Sequence, residues 1–213
     1  VRYFKEEMMK YYKLTDRNHE TNNHTKWGEG ITHKATGGGK DLCSKAVIHC
    51  YDHPLKAAFF NLIHANFSEP VLWEGKAFRV VANDQTKIGC KKFTTERITP
   101  LPVITTEQRV EIAILCTKEV CKEPEWNKWA DNWLSNKDRG YDAADAAADA
   151  ADAADAYAAA ADAADAAAYA AAYDATYAAA DAADAAAAYA ADAAAAYAGI
   201  EILTIILKVT KEG

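Results

Sequence analysis

Residues 141–198 are written almost entirely in three letters, and this run constrains the fold more than any other feature of the chain. Of its 58 residues, 39 are Ala, 11 are Asp, 7 are Tyr and one is Thr176; it contains no Gly, Pro, Lys, Arg or Glu. Alanine has the best helix propensity, and Asp and Tyr are tolerated in helices, so an uninterrupted run of this kind is expected to be helical. As one rod at ~1.5 Å per residue the run reaches about 87 Å. Such a rod must project, fold back, or pack against other copies. Asp142, Asp145, Asp149 and Asp152 keep the spacing of a stripe on one helical face. Later polar positions wander, so no single coiled-coil seam runs throughout. Tyr169, Tyr173 and Tyr177 recur every fourth residue, which lines their rings up to fill a groove between neighbouring helices.

Charge is divided as unevenly as composition. Residues 1–140 hold 22 Lys/Arg and 18 Asp/Glu, whereas residues 141–198 carry eleven negative charges and no positive one; the whole chain stands at −7. A mildly basic head therefore precedes a strongly acidic tail. The carboxylates are far sparser than the phosphates of a duplex, so the tail is a poor mimic of nucleic acid. It is also a poor membrane span, because Asp costs about 2.5–3.5 kcal/mol at a helix centre in lipid. The charged, aromatic opening Arg2-Tyr3-Phe4-Lys5-Glu6-Glu7 does not read as a signal peptide. Five cysteines, an odd number without a C-x-x-C, read as reduced thiols of a cytoplasm rather than a disulfide framework.

Ahead of the alanine run the pattern is that of an ordinary small core. Tyr11–Leu14 and Ile31–His33 read as short strands, and Ala46–Tyr51 as a buried one. Asp52-His53-Pro54 opens a helix toward Asn66, with Leu55, Phe59, Leu62 and Ile63 facing inward. Val71–Ala82 and Lys87–Ile98 read as two antiparallel strands joined at Asn83-Asp84-Gln85, ended by Pro100 and Pro102. Thr105 and Gln108 have the spacing of a capping box, and the helix behind them runs to about Cys121 with Val110, Ile114 and Leu115 inward. Pro124 opens a third helix on which Trp126, Trp129 and Trp133 share a face, and Asn136 suits a left-handed cap. Beyond Gly199, Ile200 to Val209 are apolar on more than one side and must be buried, as helix first and strand second. The fold class expected is α+β. It consists of a small antiparallel sheet with about three helices in a head over 1–135, a joint at 136–140, a long Ala-rich helical tail over 141–198, and an apolar, helical C-terminal segment over 199–213.

Chemistry-bearing residues are few. Cys43, His49, Cys50, His53 and His64 are the only cluster resembling metal ligands, but their spacing matches no standard zinc pattern, and ordinary core and capping roles explain them better. No metal, cofactor or catalytic set is expected. Gly37-Gly38-Gly39-Lys40 lacks the spacing and the Ser/Thr of a phosphate loop. Lys87, Lys91, Lys92 and Arg97 give the hairpin a basic stretch, read as a solvated sheet face ahead of a nucleic-acid site. The tryptophans read as core or joint packing ahead of a base-stacking platform.

Several segments occur together in order: Leu42–Cys50, His49-Cys50-Tyr51-Asp52-His53-Pro54-Leu55, Ile63-His64-Ala65-Asn66-Phe67, Pro70-Val71-Leu72-Trp73-Glu74, Lys87-Ile88-Gly89-Cys90-Lys91-Lys92, Thr106-Glu107-Gln108-Arg109, and Trp129–Ser135 leading into Lys137-Asp138-Arg139. Together with the alanine run they resemble a family of uncharacterised phage and metagenomic proteins that join a small head to an Ala-rich tail. Relatives tend to have Gly before Lys-Asp-Arg, where this chain has Asn136; both residues accept a left-handed cap. The resemblance implies a phage-encoded protein in the cytoplasm of an infected bacterium and this layout of head and tail, not a mechanism.

The function expected is that of a non-catalytic structural or interaction protein, self-associating through its tail as a multimer or filament. Tyr157, Tyr169, Tyr173, Tyr177, Tyr189, Tyr197, Ile202, Ile205 and Ile206 are the contact residues. The alternatives are a head that sequesters a host protein or defence component, and a nucleotide- or metal-dependent enzyme in the head. The partners expected are further copies of the chain and a host protein; a membrane is excluded and nucleic acid is disfavoured.

Overall fold

A computed structural model describes residues 9–42, 44–142, 144, 166–171, 180–198 and 200–212. The chain divides into two compact units. One comprises Val1–Ala57, Phe67–Asn83 and Lys87–Leu101; the other comprises Ala58–Asn66, Asp84–Thr86 and Pro102–Gly213.

The first unit is a curled antiparallel sheet. Its strands are β1 (Tyr11–Thr15), β4 (Thr32–Lys34), β5 (Ile48–Cys50), β6 (Val71–Asn83) and β7 (Ile88–Thr99), with a separate small ribbon of β2 (Glu20–Thr21) and β3 (Thr25–Lys26). The order is β1-β6-β7-β4, and β5 also pairs with β7. The sheet curls until Tyr12 of β1 and Tyr51, just past β5, exchange both backbone hydrogen bonds at 2.8 Å. The hydrogen-bonded order β1-β6-β7-β5 thus returns to its own start. Register shifts at Glu74/Gly75 and Val80/Ala82 provide the extra twist. Gly75 is required at the first: a Cβ there would lie 2.2 Å from the Thr94 carbonyl oxygen and 2.8 Å from the Phe93 ring.

Cys50, Cys90, Ile88, Phe93 and Trp27 form the buried interior of this sheet, with Tyr11, Ile48 and Ala77 against it. Ile88, Gly89 and Cys90 are buried in succession rather than alternately. The reason is cover on both faces, since Leu42 and Val47 close over Gly89 from the side away from the thiol. The hairpin expected from the sequence is present, with Gln85 in the left-handed region of its turn.

The second unit is helical. It takes up most of α1 (Pro54–His64), then α2 (Thr106–Val120), α3 (Pro124–Leu134), α4 (Ala180–Ala198) and α5 (Ile202–Glu212); residues 166–171 are also helical. Thr105 and Gln108 close the capping box in both directions. Pro124 stands in the first turn of α3, whose capping side chain is Glu123. Asn136 adopts φ 58°, the left-handed cap expected of it. α2 is central: Arg109, Val110, Ile112, Ala113, Ile114, Cys116, Thr117 and Val120 are all buried, and α3, α4 and α5 pack around it. Such all-round burial does not follow from a single apolar stripe, and the inward face expected on α2 is corrected accordingly, with Ile112 and Cys116 in place of Leu115. On α1, too, Ala57 and Phe60 join Phe59 in the interior while Leu55, Leu62 and Ile63 are half-buried.

The long helical tail is the main correction. The described helices are short, the longest being the 19 residues of α4, and the strands take a larger share than a small sheet, β6 and β7 running 13 and 12 residues. No long rod is present among the described residues; α4 lies along α2. Ala187, Ala188, Ala190, Ala191, Ala194 and Ala195 form its buried stripe. Methyl-only faces allow close helix approach and lose no side-chain entropy on burial. Two aspartates of this helix have partners here: Asp184 lies 3.2 Å from the Arg109 guanidinium and Asp192 lies 3.4 Å from the His64 ring. Residues 145–165 and 172–179, on which much of the tail reading rested, lie outside the described residues.

Candidate functional site: an outer hairpin face and an interior thiol pair

The outer face of the hairpin is built by register. Lys34 of β4 stands opposite Lys92 of β7, and Lys92 opposite Phe78 of β6. The Lys92 ammonium sits 3.8 Å from the centre of the Phe78 ring, a cation–π contact that keeps a large apolar ring at the surface. Phe78, Val80 and Ile98 are 40%, 42% and 55% exposed. Arg79 between the first two has φ 53°, a conformation rare for a non-glycine residue in a strand. Elsewhere on the hairpin, charge is already matched. Lys76 pairs with Glu96 at 2.5 Å, and Arg97 grips both oxygens of Glu74, at 3.3 and 3.0 Å. That grip, with help from Lys10, holds the Glu74 carboxyl below the usual carboxylate range and raises the Arg97 guanidinium. Lys91 donates to the Gly39 and Ala46 carbonyls, so it braces a loop rather than adding to a basic stretch. By composition the sheet unit holds 16 Lys/Arg and 10 Asp/Glu, a charge of +6, and the helical unit 8 and 21, a charge of −13.

The interior of the same sheet holds a second arrangement. Register pairs Ile48 with Cys90 and Cys50 with Ile88, so the two thiols are diagonal neighbours across β5 and β7. Cys90 donates to the Ile48 carbonyl at 3.5 Å. The Lys13 ammonium donates to the His49 carbonyl at 2.8 Å and stands 5.5 Å from the Trp27 ring centre. Burial lowers the Lys13 pKa, while the nearby thiols oppose that shift. Tyr11 is raised by burial and by the neighbouring Cys50.

The residues singled out from the sequence are placed as follows. Cys43 lies outside the described residues. The His49 ring is 2.6 Å from the Leu42 carbonyl. The His53 ring accepts from the Leu55 backbone at the start of α1. Cys50 belongs to the thiol pair, and His64 stacks on Phe60 beside Asp192. Among the described residues no group of three or more His, Cys, Asp and Glu is arranged to hold a metal ion. Trp126, Trp129 and Trp133 are core residues, with Arg139 over the Trp133 ring. Of the tail residues, Tyr169 and Tyr189 are about half exposed, Ile202 and Ile206 are fully buried in the helical unit, and Ile205 is half-buried. Tyr197 lies within α4, whereas Tyr157, Tyr173 and Tyr177 lie outside the described residues.

Sequence reasoning missed Phe78, Lys34 and the partnership of Cys50 with Cys90. The hairpin register carries all three, and aligning the two long strands on paper would have brought Phe78 opposite Lys92. Among the described residues no helix is long and apolar enough to cross a membrane. No family model, curated protein or solved structure matches the chain.

Proposed function

We propose that this chain is a non-catalytic binding protein whose curled sheet recognises an acidic patch on another protein, the alanine-rich helices forming a framework. The observation that carries this reading is the exposed Phe78 ring, aligned across the strands with Lys92 and Lys34. An apolar centre with a polar rim is how protein interfaces are built, and exposed aromatic anchors dominate their energetics. A protein is favoured over a single-stranded nucleic acid because the Lys92 ammonium already covers a face of Phe78, and Lys76 and Arg97 are committed to carboxylates. The resemblance to phage-borne proteins suits a host protein as the target.

The test is a photo-reactive amino acid placed at position 78 of the full chain and irradiated in bacterial lysate. One protein species should be cross-linked, insensitive to nuclease and lost in the Lys34→Glu/Lys92→Glu double variant. Adducts that disappear on nuclease treatment, or that persist in the double variant, would sink this reading.

A second reading, self-association, rests on the exposed rings of Tyr169 and Tyr189. It predicts that the full chain sediments as an oligomer and that Tyr169→Ala/Tyr189→Ala makes it monomeric. A monomeric parent chain at micromolar concentration removes it.

A further inference from the structure

The face that carries Phe78 ends at a strand with one open edge. β4 is the last strand of its path through the sheet, paired only with β7 among the described residues. The Ile31 carbonyl accepts from the Thr95 amide at 3.0 Å, and the Ala35 amide donates to the Lys91 carbonyl at 2.9 Å. Backbone groups of an antiparallel strand point alternately to one side and the other. Thr32 and Lys34 therefore turn their amides and carbonyls away from β7. Among the described residues those four groups have no hydrogen-bond partner, and both residues are exposed.

The side chains along that edge select what can pair with it. Register sets Phe78, Lys92 and Lys34 in one row across three strands. The first two are in cation–π contact, whereas Lys34, at the end of the row, has no carboxylate partner among the described residues. The next row runs Lys76, Thr94, Thr32, and the two threonine hydroxyls lie 2.7 Å apart. A further strand laid along β4 lengthens both rows by one residue. Opposite Lys34 the favoured side chain is a carboxylate, because opposite charges across a strand pair attract and like charges repel. Opposite Thr32 a carboxylate is also suited, since the hydroxyl can donate to it. The same edge of a second copy is disfavoured, because it would bring the lysines of both onto one face.

We propose that β4 takes up an extended acidic segment of another protein as an added antiparallel strand, with an acidic side chain opposite Lys34. This rests on the reading of an acidic protein partner given above and supplies its mode of contact. The amides and carbonyls of Thr32 and Lys34 make the backbone bonds, which hold the segment without regard to its sequence. The Lys34 ammonium supplies the preference for a carboxylate, and the register places a second acidic residue two positions further along the segment, opposite Thr32. The residue between them turns to the other face, beside His33.

The test uses the full chain and a fluorescein-labelled peptide of alternating Glu and Val, read by fluorescence anisotropy. The Glu-Val peptide should bind, a Lys-Val peptide should not, and Lys34→Glu should abolish the binding. Backbone methylation of the peptide is the deciding comparison and needs only the unaltered chain. With Glu opposite Lys34 and Thr32, the glutamate amides face β4 and the valine amides face away. N-methylation of the glutamates should weaken binding at least about tenfold, as the loss of two hydrogen bonds requires, whereas N-methylation of the valines should change it by less than about twofold. Equal binding by the glutamate-methylated peptide would overturn strand addition and leave the acidic-partner reading standing. Loss of binding on methylating the valines instead would overturn the register. Failure of the Glu-Val peptide to bind at millimolar concentration, or equal binding by the Lys-Val peptide, also overturns the proposal; the broader reading is then decided separately by the cross-link at position 78.

Discussion

The two units of this chain solve the problem of a small core in opposite ways. The sheet unit uses large side chains and a few enforced close approaches. Phe93, Trp27, Trp73 and Leu72 fill it, and Gly75 lets one strand pass hard against the next. Much of the helical unit uses the smallest side chain available. Six methyl groups of α4 form a fully buried stripe, and the helix is located by polar contacts: Asp184 on Arg109 and Asp192 on the His64 ring. Large residues specify a packing by shape, whereas alanines specify almost none, so the register of an alanine helix depends on the few polar groups that interrupt it. The tryptophans complete the contrast, because Trp126 and Trp133 give α3 the bulk that α4 lacks.

The largest expected effect comes from breaking the charge that locates α4. Arg109 donates to the Phe59 and Ala58 carbonyls at 2.8 and 3.0 Å as well as meeting Asp184, and burial lowers its pKa against the pull of that aspartate. Arg109→Ala removes the guanidinium that Asp184 and the Phe59 and Ala58 carbonyls share and should cost about 3–5 kcal/mol, as for other broken buried pairs. Hydrogen exchange read by mass spectrometry should show loss of protection across α2 and α4 while β6 and β7 keep theirs. Uniform loss across both units would break the contrast drawn here.

Next comes shape in the sheet. Gly75→Val drives a side chain into the Thr94 carbonyl and the Phe93 ring, for which overpacking costs of about 1–3 kcal/mol are the guide. The reduced stability should appear as a lower urea midpoint, read from the fluorescence of Trp27 and Trp73 in a background lacking the α3 tryptophans. An unchanged midpoint would mean that the strand approach is slack.

A smaller effect belongs to the start of α2. Thr105→Ala removes one half of the capping box and should cost about 1 kcal/mol, lowering the thermal midpoint by a few degrees. No shift at all would show that Gln108 alone caps the helix.

The smallest effect is one of acidity. Glu74 is held below its ordinary value by Arg97. A depressed folded-state pKa gives stability that is complete above the unfolded value, near ~4.3, and lost as pH falls through the folded one. The sheet should therefore weaken only below about pH 4, and Glu74→Gln should flatten that part of its urea-midpoint profile. A profile identical in the variant would assign the acid sensitivity elsewhere.

The hairpin, the capping box, the proline that opens α3 and the left-handed Asn136 were legible because each rests on local chemistry written in a few adjacent residues. The tryptophan face was legible for the same reason. The docking of α4 was not, because its determinants are far apart: Arg109 and Asp184, or His64 and Asp192, become neighbours only in the folded chain. An all-alanine face also gives no sign of what it packs against. Cys50 and Cys90 lie between these cases, since each strand was readable but their diagonal relation required the register. Phe78 was passed over because a single phenylalanine within an apolar strand looks like core until its neighbours Lys76 and Lys92 are given a side.

The bond between Tyr12 and Tyr51 has a consequence for how this protein meets others. Elsewhere, a strand with unsatisfied amides is an open invitation: any extended peptide adds itself to the sheet, whether as a ligand or as the first step of aggregation. Here the Tyr12 and Tyr51 amides and carbonyls are spent on one another. A newcomer cannot read that seam through backbone bonds, which ignore sequence, and must instead engage side chains, which do not. Closing the seam therefore trades a general stickiness for discrimination, and it leaves the outward side chains of β6 and β7 to do the recognising without opening the sheet to promiscuous strand pairing at this point.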